Sequence, residues 1–171
     1  MTDTDRDLTA WLAAHKDAQI AFLRELVKVP SDNPPGDCAP HGVRAADLLT
    51  AMGFEVERHR VPGDPCRDNG MISATNLVVR HRFGDGPVIA LNAHGDVVAP
   101  GDGWSHDPYA GDIVDGWMYG RGAAVSKSDF ATYAYALKAL IETGARLNGT
   151  VELHLTHDEE TGGAIGPKWL I

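Results

Sequence analysis

At 171 residues the chain is long enough for one domain with its own hydrophobic core, and with 43% apolar and 23% charged residues it has a globular rather than a disordered or fibrous composition. A formal net charge of −9 and the lack of any basic run argue against a nucleic-acid partner, because phosphate binding draws on clustered Lys and Arg. No apolar stretch approaches the roughly 20 residues that cross a bilayer, and the acidic, polar start MTDTDRDLTAW is unlike a signal peptide; the expectation is a soluble, cytoplasmic protein with no membrane partner. Cys38 and Cys66 lack C-x-x-C spacing and are read as free thiols.

In chain order, Leu8, Trp11 and Leu12, then Ile20, Leu23, Leu26 and Val27, recur at helical spacing and predict one or two amphipathic helices. VPSDNPPGD ends them, since paired prolines and a glycine prevent continuation. A helix follows from about Pro40 to Met52, stopped at Gly53. FEVERHRV alternates apolar and polar residues as a half-buried strand does. After a loop from Pro62 to Ser73 come two strands, ATNLVVRHR and GPVIALNAHGD, the second with the near-continuous apolar run of a strand buried on both faces. GDIVDGWMYGRG reads as a hairpin. Phe130, Ala134, Leu137, Leu140 and Ile141 mark a core-facing helix from about Lys127 to Thr143, closed by Gly144, and GTVELHLTHDEE is a further alternating strand. A helix starting at Pro167 would be cut within its first two turns, so the end at GPKWLI reads as unfinished, a docked C-terminal segment being the alternative. Strands alternating with helices define an α/β fold, a layered domain with helices packed on a mixed, largely parallel sheet.

In such sheets functional groups collect beyond the carboxyl ends of strands. Two strands end in ionisable clusters: VIALNAHGD delivers His94 and Asp96, and VELHLTHDEE delivers His157, Asp158, Glu159 and Glu160. Side chains two apart in an extended chain face one way, and a carboxylate beside an imidazole fixes the tautomer that offers the other nitrogen to a cation. A His-x-Asp triplet alone is common and adjacent glutamates are usually a solvated loop, but both clusters terminate apolar strands. Together they hold the minimum inventory for metal-assisted hydrolysis. GRGAAVSKSD fails as a phosphate loop, because Ser126 stands where a glycine must precede Lys127 and Arg121 stands six residues before that lysine. His106 and His157 are read as structural or rim residues. Trp104, Trp117 and Tyr119 are read as packing around the hairpin, and Arg121 as a partner for one of the nearby aspartates.

The ordered segments VPSDNPPGD, HGDVVAPGDGWSHDPYAG, GWMYGRGA and HDEETGG resemble the zinc-dependent aminoacylase and carboxypeptidase family, which includes acetylornithine deacetylase and succinyl-diaminopimelate desuccinylase. The resemblance runs from about residue 20 to the end. It implies an exopeptidase or N-acyl amino acid amidohydrolase that cleaves an amide with a water activated by Zn2+ (or Co2+ or Mn2+), on a small peptide or N-acyl amino acid. It further implies His94 as a metal ligand, Asp96 as the carboxylate holding that histidine, Glu159 as general base and Glu160 as a second metal ligand.

Two departures qualify this. Where the family carries G-R-G-A-x-D-x-K-G, with an aspartate bridging two ions, this chain has Val125, which cannot ligate. Asp129 would substitute only through a rearranged backbone; its simpler role is a negative charge in the first turn of the helix, which Ser126 and Ser128 are placed to cap. The family members are also two-domain proteins of more than twice this length. Residues 1–171 are therefore expected to be the N-terminal portion of an incomplete catalytic domain, without the dimerisation and lid domain, holding an ion loosely at most and showing little or no activity alone. A homo-oligomer completing the exposed face stays open, and a non-catalytic binding or assembly domain is the competing reading.

Overall fold

The computed structural model describes residues 3–171; Met1 and Thr2, the first residues of the acidic start, lie outside them. The N-terminal apolar positions form two helices, α1 (Asp3–Ala14) and α2 (Lys16–Val27), followed by α3 (Ala39–Ala51) with Pro40 in its first turn. Then come β1 (Glu57–Arg60), a short α4 (Gly63–Asp68), β2 (Thr75–Arg82), β3 (Val88–His94), β4 (Asp112–Val114), β5 (Trp117–Tyr119), α5 (Lys127–Glu142), β6 (Thr150–Thr156), a 3-10 turn (Glu159–Thr161) and α6 (Pro167–Leu170). The stretch expected to be a loop from Pro62 to Ser73 contains α4, which the sequence pattern does not reveal because six residues show no helical period.

The main sheet has the order β1-β2-β6-β3, with β1 and β6 antiparallel to β2 and β3 parallel to β6. The α/β architecture with helices packed on a mixed sheet is thus the observed one. Register explains the layering. Leu77 and Val79 of β2, Leu153 and Leu155 of β6 and Ala93 of β3 lie in one buried cluster with Phe22 and Leu26 of α2, Ala45, Ala46 and Leu49 of α3, and Phe130, Ala134 and Leu137 of α5. The alternate residues face the other way and include a polar network: Arg80 bonds Glu57 of β1 and, at 2.7 Å, Glu152 of β6, which His154 also meets at 2.8 Å. This alternation sends His94 out on the polar side, paired with Thr156.

β4 and β5 form the expected hairpin, with the turn Asp115-Gly116 at φ 50° and 82°, the left-handed pair that a two-residue hairpin requires. Trp117 does not pack around it: the ring is 73% exposed. Both cysteines are buried free thiols, in a small second cluster with Val61, Met71, Ala74 and Ile165. No described helix is long and apolar enough to cross a membrane.

Lys127, at the start of α5, is fully buried, and its ammonium donates to the Leu26 carbonyl at 3.3 Å and the Val29 carbonyl at 2.8 Å. It therefore adds a charged donor to the carbonyls where α2 ends and joins the two helices. Burial lowers its pKa from 10.5 to about 8. The unfolded chain then holds the proton over a range in which the folded chain has released it, so this residue makes stability rise as pH climbs from about 8 toward 10.5. Urea unfolding is expected to show wild type gaining on Lys127→Met across that window, with a slope of at most about 1.4 kcal/mol per pH unit.

Candidate metal centre

The parallel pair β3 and β6 ends with His94 beside Thr156, and Gly95 N extends the ladder by donating to the Thr156 carbonyl at 2.8 Å. Both carboxyl ends therefore open on the same side, as layered α/β sheets dictate. After β6 the chain turns sharply at Asp158, φ 104°, into the 3-10 turn that carries Glu159 and Glu160.

Asp96 joins these two ends. Its carboxylate is fully buried and accepts from Glu159 N at 3.3 Å, Glu160 N at 3.1 Å and Asn33 Nδ2 at 3.0 Å. Burial alone would raise its pKa, but the bonds from His94, Asn33 and the Glu160 amide outweigh this and hold the carboxyl well below the usual range. His94 Nδ1 lies 3.0 Å from the Asp96 main-chain carbonyl and 3.5 Å from the Asp96 carboxylate. The closer partner is the carbonyl, which only accepts, so Nδ1 carries the proton and the neutral ring keeps its lone pair on Nε2, 3.8 Å from Glu159 Oε2. Burial opposes a proton on this ring, but Asp96 and Glu159 together raise its pKa, so a cation would have to compete with that proton.

His94, Glu159 and Glu160 each bring one ligand atom to within 4.8 Å of the others. His94 is 12% exposed and Glu159 60%, so the imidazole is set by the fold while the carboxylates stand at the solvent edge. One imidazole nitrogen and two carboxylates are donors that divalent zinc, cobalt or manganese accept. All four residues singled out from the sequence therefore meet at one place. Glu159 lies in the same ligand group as Glu160, although adjacency in a strand would have turned the two apart; the 3-10 turn removes that alternation.

Other expectations fare differently. Asp129 is absent from the ligand group among the described residues, and its Oδ2 accepts from Ser126 Oγ at 2.7 Å. Neither serine caps α5 by its side chain: Ser126 bonds that carboxylate instead of an amide, and Ser128 Oγ bonds the Ala124 carbonyl at 2.9 Å. Val125 is 67% exposed. Arg121 forms no ion pair with an aspartate among the described residues; it donates to the Pro100 carbonyl at 3.0 Å and lies over Trp104 at 5.4 Å. His157 is structural, fully buried with its Nε2 3.0 Å from His41 Nδ1. Sequence reasoning missed both His41 and Asn33, which lie 116 and 63 residues from the partners they meet; no local pattern marks them.

The fold is that of solved peptidases. The structure superposes on human carnosine dipeptidase 1 with a TM-score of 0.74 at 23% identity, covering 96% of this chain and 37% of that one. It superposes on the di-peptidase Dug1p of Saccharomyces cerevisiae with a TM-score of 0.75 at 17% identity, covering 97% and 37%. The profile described as peptidase family M20/M25/M40 matches residues 90–171, and succinyl-diaminopimelate desuccinylase of Rhodospirillum centenum is 36% identical over 152 residues, 87% of this chain. Residues 90–171 thus match the M20/M25/M40 peptidase family. The chain spans 37% of the length of that relative.

The His41 and His157 rings meet edge-on in a site where burial, first of all, and the nearby Lys127 ammonium hold both neutral, His157 at about 4 and His41 well below its ordinary value. An unfolded chain takes up protons near pH 6.5, where the folded pair does not, so these groups cost stability as pH falls. Chemical unfolding is expected to show wild type losing ground to His41→Leu as pH is lowered from about 6.5 to 4, with the difference constant above pH 7.

Proposed function

We propose that residues 1–171 are the N-terminal portion of the catalytic domain of a metal-dependent hydrolase that cleaves an amide bond in a small peptide or an N-acyl amino acid. The observation that carries this is the convergence of His94, Glu159 and Glu160 within 4.8 Å at the ends of β3 and β6. His94, through Nε2, and Glu160 would hold one divalent cation, zinc, cobalt or manganese. When bound, that cation supplies a Lewis acid that polarises a carbonyl and makes water a better nucleophile. Glu159, its exposed neighbour, takes the proton from the attacking water and passes it to the departing amine. Asp96 sets the position of all three: its carbonyl fixes the His94 tautomer and its carboxylate fixes the backbone beneath both glutamates.

The match of residues 90–171 to a peptidase family supports the reaction class, the name of the Rhodospirillum centenum relative supports an acyl-amino acid, and that of the human structure a dipeptide. A cytoplasmic setting and self-association that covers the open side of the site are part of the same reading. Two ligands on an open rim hold an ion loosely, so little or no turnover is expected from these residues alone.

A second reading, a domain that keeps the fold for binding or assembly, is favoured by Val125, whose exposed side chain offers no ligand where the resembling family has a carboxylate. Metal uptake separates the two. Calorimetric titration with Zn2+ or Co2+ is expected to give up to one ion per chain, with affinity falling at least about 100-fold, two ligand-strength factors of ten, in His94→Ala. No uptake by a correctly folded wild type would favour the binding domain.

A further inference from the structure

Asn33 belongs to the proline-rich segment after α2, far from the strand ends in sequence, yet its carboxamide reaches both sides of the turn that bears the two glutamates. Nδ2 donates to Asp96 Oδ2 at 3.0 Å and to Thr161 Oγ1 at 3.0 Å. Thr161 in turn donates its hydroxyl proton to Asp158 Oδ1 at 2.5 Å, and Asp158 Oδ2 accepts from Ile165 N at 2.7 Å. The 3-10 turn is therefore held at its start by the Asp96 carboxylate and at its end by the Thr161 hydroxyl, and one amide nitrogen binds both. Flipping the carboxamide would set Oδ1 against Asp96 Oδ2, acceptor against acceptor, so its orientation is fixed by charge.

The rest of the segment is shaped to hold this side chain. Asn33 is 1% exposed and its main-chain N–H donates to the Val97 carbonyl at 2.8 Å, just past Asp96. Gly36 stands at φ 75°, and a Cβ there would come within 2.9 Å of Asn33 Oδ1 and 2.6 Å of Met71 Cγ; any larger residue would displace the carboxamide. Asn33 Oδ1 has no hydrogen-bond partner although buried. The side chain is kept for its donors, since an apolar residue of the same shape would remove that unsatisfied oxygen.

We infer that Asn33 is a positioning residue of the metal centre, acting through Asp96 and Thr161 to fix the turn that presents Glu159 and Glu160 toward His94. The inference rests on the proposed metal-dependent reading for its consequence in binding, but the clamp itself is a property of the protein without metal.

Two readouts keep these apart. In Asn33→Leu, which keeps the branched shape and removes both donors, amide hydrogen exchange at residues 159–161 is expected to accelerate at least about tenfold while β6 amides are unchanged. The dissociation constant for Co2+, followed by its visible absorption, is expected to rise about 10- to 100-fold, as for other groups that orient metal ligands. Thr161→Val, at an exposed position, is expected to move both readouts the same way by a smaller factor, and decides the matter should Asn33→Leu fail to fold. Exchange in the turn and Co2+ affinity within about twofold of wild type in a folded variant would overturn the inference. A wild type that takes up no Co2+ would sink the metal reading alone, and the exchange comparison would still decide whether Asn33 clamps the turn.

Discussion

The buried Asp96 carboxylate is the constraint on which the site depends. A charge removed from water needs several donors to remain ionised, and here they come from Asn33, from the amides of Glu159 and Glu160, and from the side of His94. Meeting that need brings three distant parts of the chain together: the segment after α2, the end of β3 and the turn after β6. The geometry that places an imidazole and two carboxylates within reach of one another thus follows from satisfying one anion. Both glutamates hang from amides that this anion holds, so their position is as secure as its burial.

Much of this was legible in the sequence. Periods of 3.6 and 2 give most of the helices and strands, although β3, expected to be buried on both faces, is an edge strand that leaves Val88 and Ile89 exposed. The rule that functional groups gather at the carboxyl ends of strands picks out two clusters, His94 with Asp96 and His157 to Glu160, and the family resemblance then selects His94, Asp96, Glu159 and Glu160 among them. What was not legible is long-range or subtle. Asn33 lies in a turn-rich segment where an asparagine ordinarily bonds its own backbone, and nothing local shows that its amide crosses 128 residues to Thr161. The His41 and His157 pair escapes for the same reason. Extrapolating strand alternation past Thr156 separates Glu159 from Glu160, because Asp158 at φ 104° starts a turn in which alternation no longer holds. Trp117 was read as packing because tryptophans usually are, and the two-residue turn instead leaves it in solvent.

The GRGAAVSKSD stretch shows how a family frame can persist while its chemistry changes. Its lysine still has structural work, joining α5 to the end of α2. Its Ser126 and Asp129 bond each other and Val125 faces solvent, so the segment adds no ligand to the described cluster. The proposed centre is accordingly a half-site of two ligands, a half-buried imidazole nitrogen held by the fold and an exposed carboxylate, suited to a single ion bound from the solvent side.

The most direct measurement is anomalous scattering from a crystal soaked in zinc, collected on either side of the zinc absorption edge. The account predicts one peak at coordination distance, about 2.0–2.2 Å, from His94 Nε2 and from a carboxylate oxygen of Glu160. A peak elsewhere on the surface, or none at His94 in a crystal whose Asp96 contacts are intact, would contradict it.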